Sequence, residues 1–438
     1  MTAKDALGHP LSGASAPSVE LYEQALRELR CYVGDPVATV DRALALCPEF
    51  AMAHVLRGYL QLLGTEPGGF APARESLAAA DRLEIDARET GHREALRALV
   101  ESRWHAAGRA LEDVSVDHPR DLLALQVGHQ IDFLTGRARM LRDRIARALP
   151  AWEARMPGYH ALLGMHAFGL EECGDYLLAE ARGRRAVELE PRDGWAWHAV
   201  AHVLEMQDRR GDGIAWLRAD SEAWSRESFF CVHTWWHLAL FHLDRGEVGE
   251  ALALFDGPIH GARSKLALDL VDAASLLWRL HLMGIDVSSR WQTVADAWQP
   301  LAGAGSYAFN DAHAMMAFVG AGREASALEV FEAQERALAR DDDNAGFTRD
   351  VGAPVARAIY AFGAGAYAET VRRLRGVREI AHRFGGSHAQ RDVLDRTLLE
   401  AARRAGQLAL ARALEAERAA LRPGSAVRPP RESSSRID

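Results

Sequence analysis

Glycines recur along this chain at near-regular intervals, close to the ends of segments whose apolar residues have helical spacing. They are Gly64, Gly108, Gly136, Gly174, Gly211, Gly246, Gly284, Gly322, Gly365 and Gly406, and from Gly136 onwards they lie 35 to 43 residues apart. Glycine is the residue that most easily adopts the left-handed conformation that closes a helix. Extended alternation of polar and apolar residues, which would indicate strands, is absent from the sequence. The spacing therefore predicts an all-α solenoid of helix–turn–helix units.

The clearest single unit refines this prediction. Pro191 ends one helix pair, and Trp197, Val200, Ala201 and Leu204 follow at the large, apolar, small and large positions of the first helix of a tetratricopeptide unit. The observed period is slightly longer than the tetratricopeptide unit of about 34 residues. We therefore expect a superhelix of tetratricopeptide-like repeats.

The repeats set the expected domain boundaries. Residues 18–422 are predicted to form one solenoid. Residues 1–17 and the tail 423–438 are rich in proline, serine, glycine and charge, so both are predicted to be disordered.

Composition excludes several classes of function. The net charge of −9 disfavours nucleic acid and anionic membranes as partners. No apolar run is long enough to span a bilayer, and the first residues lack the apolar core of a secretory signal. The scattered cysteines Cys31, Cys47, Cys173 and Cys231 fit a reducing compartment. We expect a cytoplasmic protein; a homo-oligomer is compatible with the fold, although no feature of the sequence requires one.

Two of the predicted helices carry the same pattern of histidines. His198 and His202 are four residues apart, as are His233 and His237, so each pair lies on one face of its helix. His202, His237 and His313 each lie nine residues before a turn glycine, and His198 and His233 each lie thirteen before one. Equal offsets predict that these rings share the concave face of the solenoid, facing a cavity.

From this face we predict a small-molecule site in two groups of residues. The group predicted to be catalytic is His198, His202, Glu205, His233, His237 and His313. The group predicted to bind substrate is His166, Asp132, Trp235, Trp236 and Asp311. Histidine exchanges protons near neutral pH, carboxylates orient imidazole rings, and tryptophan gives a pocket apolar walls.

Three interpretations of the histidines remain open. They can be structural, satisfied within the helical stack. They can ligate a divalent metal such as zinc, although two histidines four apart are a weak motif and the sequence requires no cofactor. They can line a metal-free pocket for acid/base chemistry of a hydrolytic, proton-transferring or eliminative kind, as in a hydrolase or a lyase. The motifs of serine hydrolases, phosphate loops and dinucleotide folds are missing, which disfavours redox and phosphoryl-transfer chemistry.

Four phrases carry a family resemblance: GWAWHAVAHVLEMQDRRGDGIAWL, HTWWHLALFHLDRGEVGEALALFD, FNDAHAMMAF and GGSHAQRDVLDRTL. They resemble the tetratricopeptide repeat protein 38 family, over most of the chain as far as Gly406. The resemblance implies a helical-repeat fold and carries no established reaction onto these residues.

Tetratricopeptide grooves commonly bind a peptide or protein partner, and this alternative also stays open. Such grooves hold carboxylates with lysine, arginine and asparagine, whereas the predicted face here offers histidine and tryptophan. A small polar molecule is therefore the preferred ligand and a peptide the alternative.

Overall fold

The computed structural model describes residues 3–421, and nearly all of them belong to helices. The first part of the chain forms α1 (Ala16–Cys31), α2 (Pro36–Leu46), α3 (Ala51–Leu63), α4 (Phe70–Ala80), α5 (Ala87–Val100), α6 (Trp104–Asp117), α7 (Leu122–Leu134), α8 (Ala138–Ala148), α9 (Tyr159–Glu172), α10 (Tyr176–Leu189), α11 (Gly194–Met206) and α12 (Arg210–Ala219). The second part forms α13 (Ser221–Ser225), α14 (Cys231–Asp244), α15 (Val248–Leu254), α16 (Ala267–Leu282), α17 (Ser288–Trp298), α18 (Ala308–Ala321), α19 (Glu324–Leu338), α20 (Asp343–Phe347), α21 (Ala353–Gly363), α22 (Tyr367–Val377), α23 (His388–Arg404) and α24 (Leu408–Leu421). Shorter 3-10 or π segments are Pro67–Gly69, Leu149–Ala151, Phe255–Ile259, Gln299–Leu301, Thr348–Gly352 and Arg378–Phe384.

Consecutive helices pack in pairs, and each pair packs against the next, which confirms the predicted all-α, tetratricopeptide-like solenoid. The first helices of the central pairs, α9, α11, α14 and α16, lie side by side in an inner layer. They are buried on almost every side, because their apolar residues are not confined to one stripe. Trp197, Val200, Ala201 and Leu204 are all buried in α11, as the repeat register predicts.

The turn positions are only partly as predicted. A left-handed conformation is found at the predicted glycines Gly136, Gly174, Gly246, Gly284, Gly322, Gly365 and Gly406. In the other three units the left-handed residue is a polar one, namely Thr65, Ser102 and Asp208. Aspartate tolerates this conformation better than most residues, so glycine alone is not a complete marker of the turn. After α11 the turn therefore falls at Asp208, three residues before Gly211.

The inner layer does not face an open channel. The Trp278 indole N–H of α16 donates to the Thr397 hydroxyl of α23 (2.9 Å), and the Arg279 guanidinium donates to the carbonyl of Ala389 (2.7 Å). The backbone N–H of His388, at the start of α23, donates to the Glu172 carboxylate at the end of α9 (2.8 Å). Helix α23 thus covers the concave face, because the superhelix winds tightly enough to bring its last units against its middle ones.

Residues 3–17 are ordered, contrary to the predicted disorder. Strands β1 (Ala3–Lys4) and β2 (Pro10–Leu11) form an antiparallel hairpin whose Leu11 is buried. The Arg88 guanidinium donates to the carbonyl of Pro10 (2.9 Å), so side chains of α5 hold the hairpin. The predicted disordered tail 423–438 lies outside the described residues. Among residues 3–421, every helix is too short or too polar to cross a membrane.

Candidate functional site

Four of the predicted histidines come together between α11 and α14. Each of His198, His202, His233 and His237 offers a ring nitrogen, and these nitrogens all lie within 4.8 Å of one another. Nε2 of His233 lies 3.1 Å from Nε2 of His198. All four side chains are buried, at most 3 % exposed. The predicted convergence of both pairs is therefore present in the structure, whereas the predicted open cavity around the rings is replaced by a packed interior.

Counting back from the true turn residues explains how the rings meet. His233 and His237 lie in a helix that turns at Gly246, and His198 and His202 in one that turns at Asp208. The glycine spacing predicts that the two pairs occupy equivalent positions. Measured from the true turn residues, they are offset by three residues. Three residues are close to one helical turn, so both pairs still occupy the facing sides of their adjacent helices.

Three buried carboxylates lie behind the rings. Nδ1 of His233 is 2.9 Å from Oδ2 of Asp272 in α16, and Nδ1 of His237 is 3.0 Å from Oε2 of Glu205 in α11. Nδ1 of His202 is 3.6 Å from Oε2 of Glu171 in α9. A carboxylate at Nδ1 fixes the tautomer that carries the proton there and leaves the lone pair of Nε2 facing the other rings. We call the four histidines and these three carboxylates the histidine cluster.

The interior disfavours the charged form of two rings of the histidine cluster. Burial lowers the pKa of His198 well below its ordinary value, and the three neighbouring imidazoles lower it further. Burial also lowers the pKa of His237, although its hydrogen bond to Glu205 opposes the shift. Among the described residues, Nδ1 of His198 and Nε2 of His237 have no hydrogen-bond partner. His198 and His237 are therefore neutral bases with unused lone pairs in a dry environment.

Aromatic rings enclose the histidine cluster. Of the two tryptophans predicted to wall the site, Trp235 and Trp236, only Trp236 is among them. Trp236 stacks on His233, with 5.3 Å between ring centroids. Trp195 and Phe168 contact His198 at 4.9 and 5.4 Å. Trp235 instead packs on Trp224 (4.5 Å). Successive residues of a helix point about 100° apart, so only one of the two tryptophans reaches the rings.

Asp132 and His166 have other neighbours. Asp132 accepts a hydrogen bond from the Arg144 guanidinium (2.8 Å), and both side chains are completely buried. This buried ion pair joins α7 to α8, which indicates a structural rather than a ligand-binding role for Asp132. His166 of α9 is buried near Arg182 and Arg142, and burial lowers its pKa to about 4.

His313 does not join the other histidines. It lies nine residues before Gly322, so it does occupy the position equivalent to His237. Its helix α18, however, packs against α16 and α21, and α16 separates it from α14. Nδ1 of His313 donates to the carbonyl of Phe309 within the same helix (2.8 Å). Equal register places residues on one face of a solenoid, but only adjacent helices bring such residues into contact.

Asp311 is a buried acid. Burial raises its pKa to about 7, and a contact with Gln334 of α19 opposes the shift. Its part in ligand binding stays a prediction.

The buried carboxyl of Asp311 makes stability depend on pH. Since its folded pKa (about 7) exceeds its unfolded value (3.8), its contribution is fully present below pH 4 and is lost as the pH rises through 7. Asp311→Asn mimics the neutral acid, so we expect the variant to gain up to about 4 kcal/mol of unfolding free energy over wild type at pH 8. Urea unfolding at pH 4 and pH 8 measures the difference, with the exposed Asp296→Asn as control. Equal gains at both pH values would contradict the argument.

A large groove opens beside the histidine cluster. Its volume is 1140 Å³. One wall is formed by α8 with the ends of α9 and α11, and the other by α23, α24 and Arg378–Phe384. Glu172 and Met206 line it, and each directly follows a carboxylate of the cluster in the sequence. A carboxylate oxygen of Glu172 also lies within 4.8 Å of a ring nitrogen of His202. Glu172 therefore connects the groove with the buried rings.

Sequence reasoning missed Glu171 and Asp272 as members of the site. Asp272 lies in the segment LVDAASLLWRL, where nearly every neighbour is apolar. A charged residue inside a helix that is apolar all round requires a buried partner, and this signal is readable from the sequence. The pairing of Glu171 with His202 is less readable, because Glu171 and Glu172 are adjacent and the sequence does not show which one points inward.

Comparison with known proteins adds little. No family model matches the chain. Among solved structures, the crystal structure of the TPR (tetratricopeptide repeat) domain of P58(IPK) is similar, with 14 % identity over 90 % of both chains and a TM-score of 0.21. A likeness of this size carries no argument about function, and the description of the fold given above stands on the helices themselves.

Proposed function

We propose that this helical-repeat protein binds a small polar molecule in the groove and exchanges protons with it through the histidine cluster, in a hydrolytic or proton-transfer reaction. Membership of the tetratricopeptide repeat protein 38 family belongs to the same proposal, on the strength of the four quoted phrases. The observation that carries the proposal is the proximity of the Glu172 carboxylate, on the groove wall, to a ring nitrogen of His202, within 4.8 Å.

Proton exchange needs a base that is neutral at working pH and a path to it. The cluster supplies neutral imidazoles in His198 and His237, and the carboxylates of Glu205 and Asp272 stabilise the imidazolium that forms when a ring takes a proton. A ring nitrogen of His202 lies within 4.8 Å of the Glu172 carboxylate on the groove wall. A proton that leaves a groove-bound molecule therefore has a short route by way of Glu172 to His202 and its neighbouring rings.

The groove suits a polar occupant. Guanidinium and carboxylate groups alternate along its walls, among them Arg391, which contacts Glu172 (3.4 Å), and Arg418, which pairs with Asp392. Such a lining offers donors and acceptors together. We therefore propose a ligand with several hydrogen-bonding groups, such as a small organic acid or zwitterion.

A thermal-shift screen of small organic acids, amines and zwitterions tests the binding step. A true ligand is expected to raise the melting temperature of wild type and of Arg185→Ala, on exposed α10, but not that of His388→Ala, which removes an exposed ring from the groove. Glu172→Gln is expected to retain binding and to lose at least tenfold in rate once a reaction is found. Equal shifts in wild type and His388→Ala would overturn the proposed binding site.

A peptide or protein partner in the same groove is the second candidate. The groove is open along the line where α23 and α24 meet α8 and α9, and helical repeats commonly use such surfaces as scaffolds. A parallel screen with short peptides separates the two: stabilisation by peptides alone would replace the small-molecule proposal with the scaffold.

A further inference from the structure

We propose that His198, His202, His233 and His237 together bind one divalent transition-metal cation with the preferences of Zn²⁺. The inference rests on the proposed function only in taking the histidine cluster as the functional centre, and it names the ligand of the rings themselves. No organic molecule fits among four nitrogens that lie within 4.8 Å of one another, whereas a single ion does.

The donor atoms are nearly in place for such an ion. Zinc–nitrogen bonds of 2.0–2.1 Å in a tetrahedron set the nitrogens about 3.3 Å apart. Nε2 of His198 and Nε2 of His233 are 3.1 Å apart, and the widest pair in the group does not exceed 4.8 Å. Since rings His198 and His202 share one helix and His233 and His237 the next, small side-chain rotations within α11 and α14 suffice to close the shell.

The protein alone leaves one inward lone pair unsatisfied. Nδ1 of His233 faces Asp272 and Nδ1 of His237 faces Glu205, so both rings direct the lone pair of Nε2 inward. Nε2 of His233 lies at hydrogen-bond distance from Nε2 of His198 (3.1 Å), whereas Nε2 of His237 has no partner among the residues that the structure describes. A lone pair in a dry interior that has lost its hydrogen bonds to water costs free energy. A cation bound by these nitrogens removes this cost.

The charge of the surroundings also fits a dication. Glu171, Glu205 and Asp272 are buried, and each faces a histidine of the cluster. Three buried carboxylates around the rings favour a cation at their centre, because buried charges of opposite sign stabilise each other. Carboxylates that accept the outer N–H of metal-bound histidines are a recurrent feature of metal sites, because they orient the rings and strengthen them as ligands.

The donor set selects the class of metal. Four imidazole nitrogens suit Zn²⁺, Cu²⁺, Ni²⁺ and Fe²⁺, whereas Ca²⁺ and Mg²⁺ require oxygen ligands. Four protein ligands around a buried ion also resemble the closed shells of structural zinc sites. The cation would thus tie α11 to α14.

Metal content provides the test. Wild-type protein, loaded with zinc chloride and desalted, is measured by inductively coupled plasma mass spectrometry, and about one equivalent is expected. His237→Ala and His233→Ala are expected to lose the ion, whereas His242→Ala, which removes a buried histidine of α14 outside the cluster, retains it. Asp272→Asn keeps all four ligands, and its zinc affinity is expected to fall 10- to 100-fold in competition with a chelating dye.

The outcomes separate this inference from the proposed function. Zinc absent from wild type, or retained equally by His237→Ala and His233→Ala, overturns the metal site. An unchanged affinity in Asp272→Asn also counts against it, and this variant preserves the size of the side chain if the alanine variants fail to fold. If the groove still binds its ligand in metal-free protein, the proposed function stands without the metal. If the protein binds the metal but no ligand binds in the groove, the metal site stands and the proposed function is overturned.

Discussion

Replacing Arg144 by alanine is expected to lower the free energy of unfolding by about 3–5 kcal/mol, one of the largest effects of any single substitution in this chain. Arg144 and Asp132 are both completely buried, with Nε of Arg144 2.8 Å from Oδ2 of Asp132. The guanidinium also donates to the carbonyl of Gly108 (3.0 Å), so it joins α6, α7 and α8. Without it, burial raises the pKa of Asp132 unopposed by its main partner, and only the more distant Arg137 (3.8 Å) remains to pair with the buried carboxylate.

Urea unfolding followed by circular dichroism measures this loss at pH 7. Arg147→Ala is the matched control, because Arg147 lies one turn further along α8 in an exposed pair with Glu112, where a loss of at most about 1 kcal/mol is expected. The double variant Arg144→Leu/Asp132→Leu removes both charges and is expected to recover part of the stability. Equal losses in Arg144→Ala and Arg147→Ala would show that the buried pair is not the source of the effect.

The ion pair of Arg144 and Asp132 could not be predicted from either residue alone. Asp132 follows a histidine in VGHQIDFLTG, and the sequence alone does not distinguish a carboxylate aimed at a ligand from one held by an arginine twelve residues later. The ion pair depends on how α7 and α8 pack, and this packing is a tertiary property. Trp235 was predicted for the pocket for a similar reason, and the structure places it against Trp224 instead.

The fold could be predicted from the sequence because its structural unit repeats. Periodic turns and helical spacing recur over many units, so errors at Thr65, Ser102 and Asp208 did not change the predicted architecture. The histidine pairs were accessible for the same reason, since two pairs on adjacent helices form one face even when their register is offset by three residues. The sequence does not predict that α23 covers that face, because this packing depends on the pitch of the superhelix rather than on any local pattern.

Capping chemistry gives a smaller example of a local signal that holds. Ser387 and Gln390 predict a capping box at the start of a helix, and the structure confirms it: the Gln390 N–H donates to the Ser387 hydroxyl, and the Ser387 N–H donates to the Gln390 side chain. Such motifs are decided within four residues, whereas the partners of Asp272 and Glu171 lie on other helices.

If the histidine cluster holds a metal ion, chelation is expected to destabilise the wild-type protein strongly. A ligand that binds only the folded chain stabilises it by about 2.7 kcal/mol at a hundredfold excess over its dissociation constant and by about 4.1 kcal/mol at a thousandfold excess. The folded chain alone brings His198 and His202 together with His233 and His237, because the pairs belong to different helices, so the unfolded chain is expected to bind far more weakly. Thermal unfolding with and without ethylenediaminetetraacetate measures the difference.

The comparison that decides this prediction is between wild type and His237→Ala. Chelation is expected to lower the melting temperature of wild type by several degrees and to leave that of the variant unchanged, because the variant has already lost one ligand. Excess Zn²⁺ is expected to restore wild type, whereas Mg²⁺, which requires oxygen ligands, is not. If chelation lowers the melting temperature of both proteins equally, the chelator acts at a site other than the four rings. If chelation changes the melting temperature of neither protein, the four rings bind no metal. Their role is then structural or proton-transferring, and Asp272 and Glu205 contact imidazoles that carry no ion.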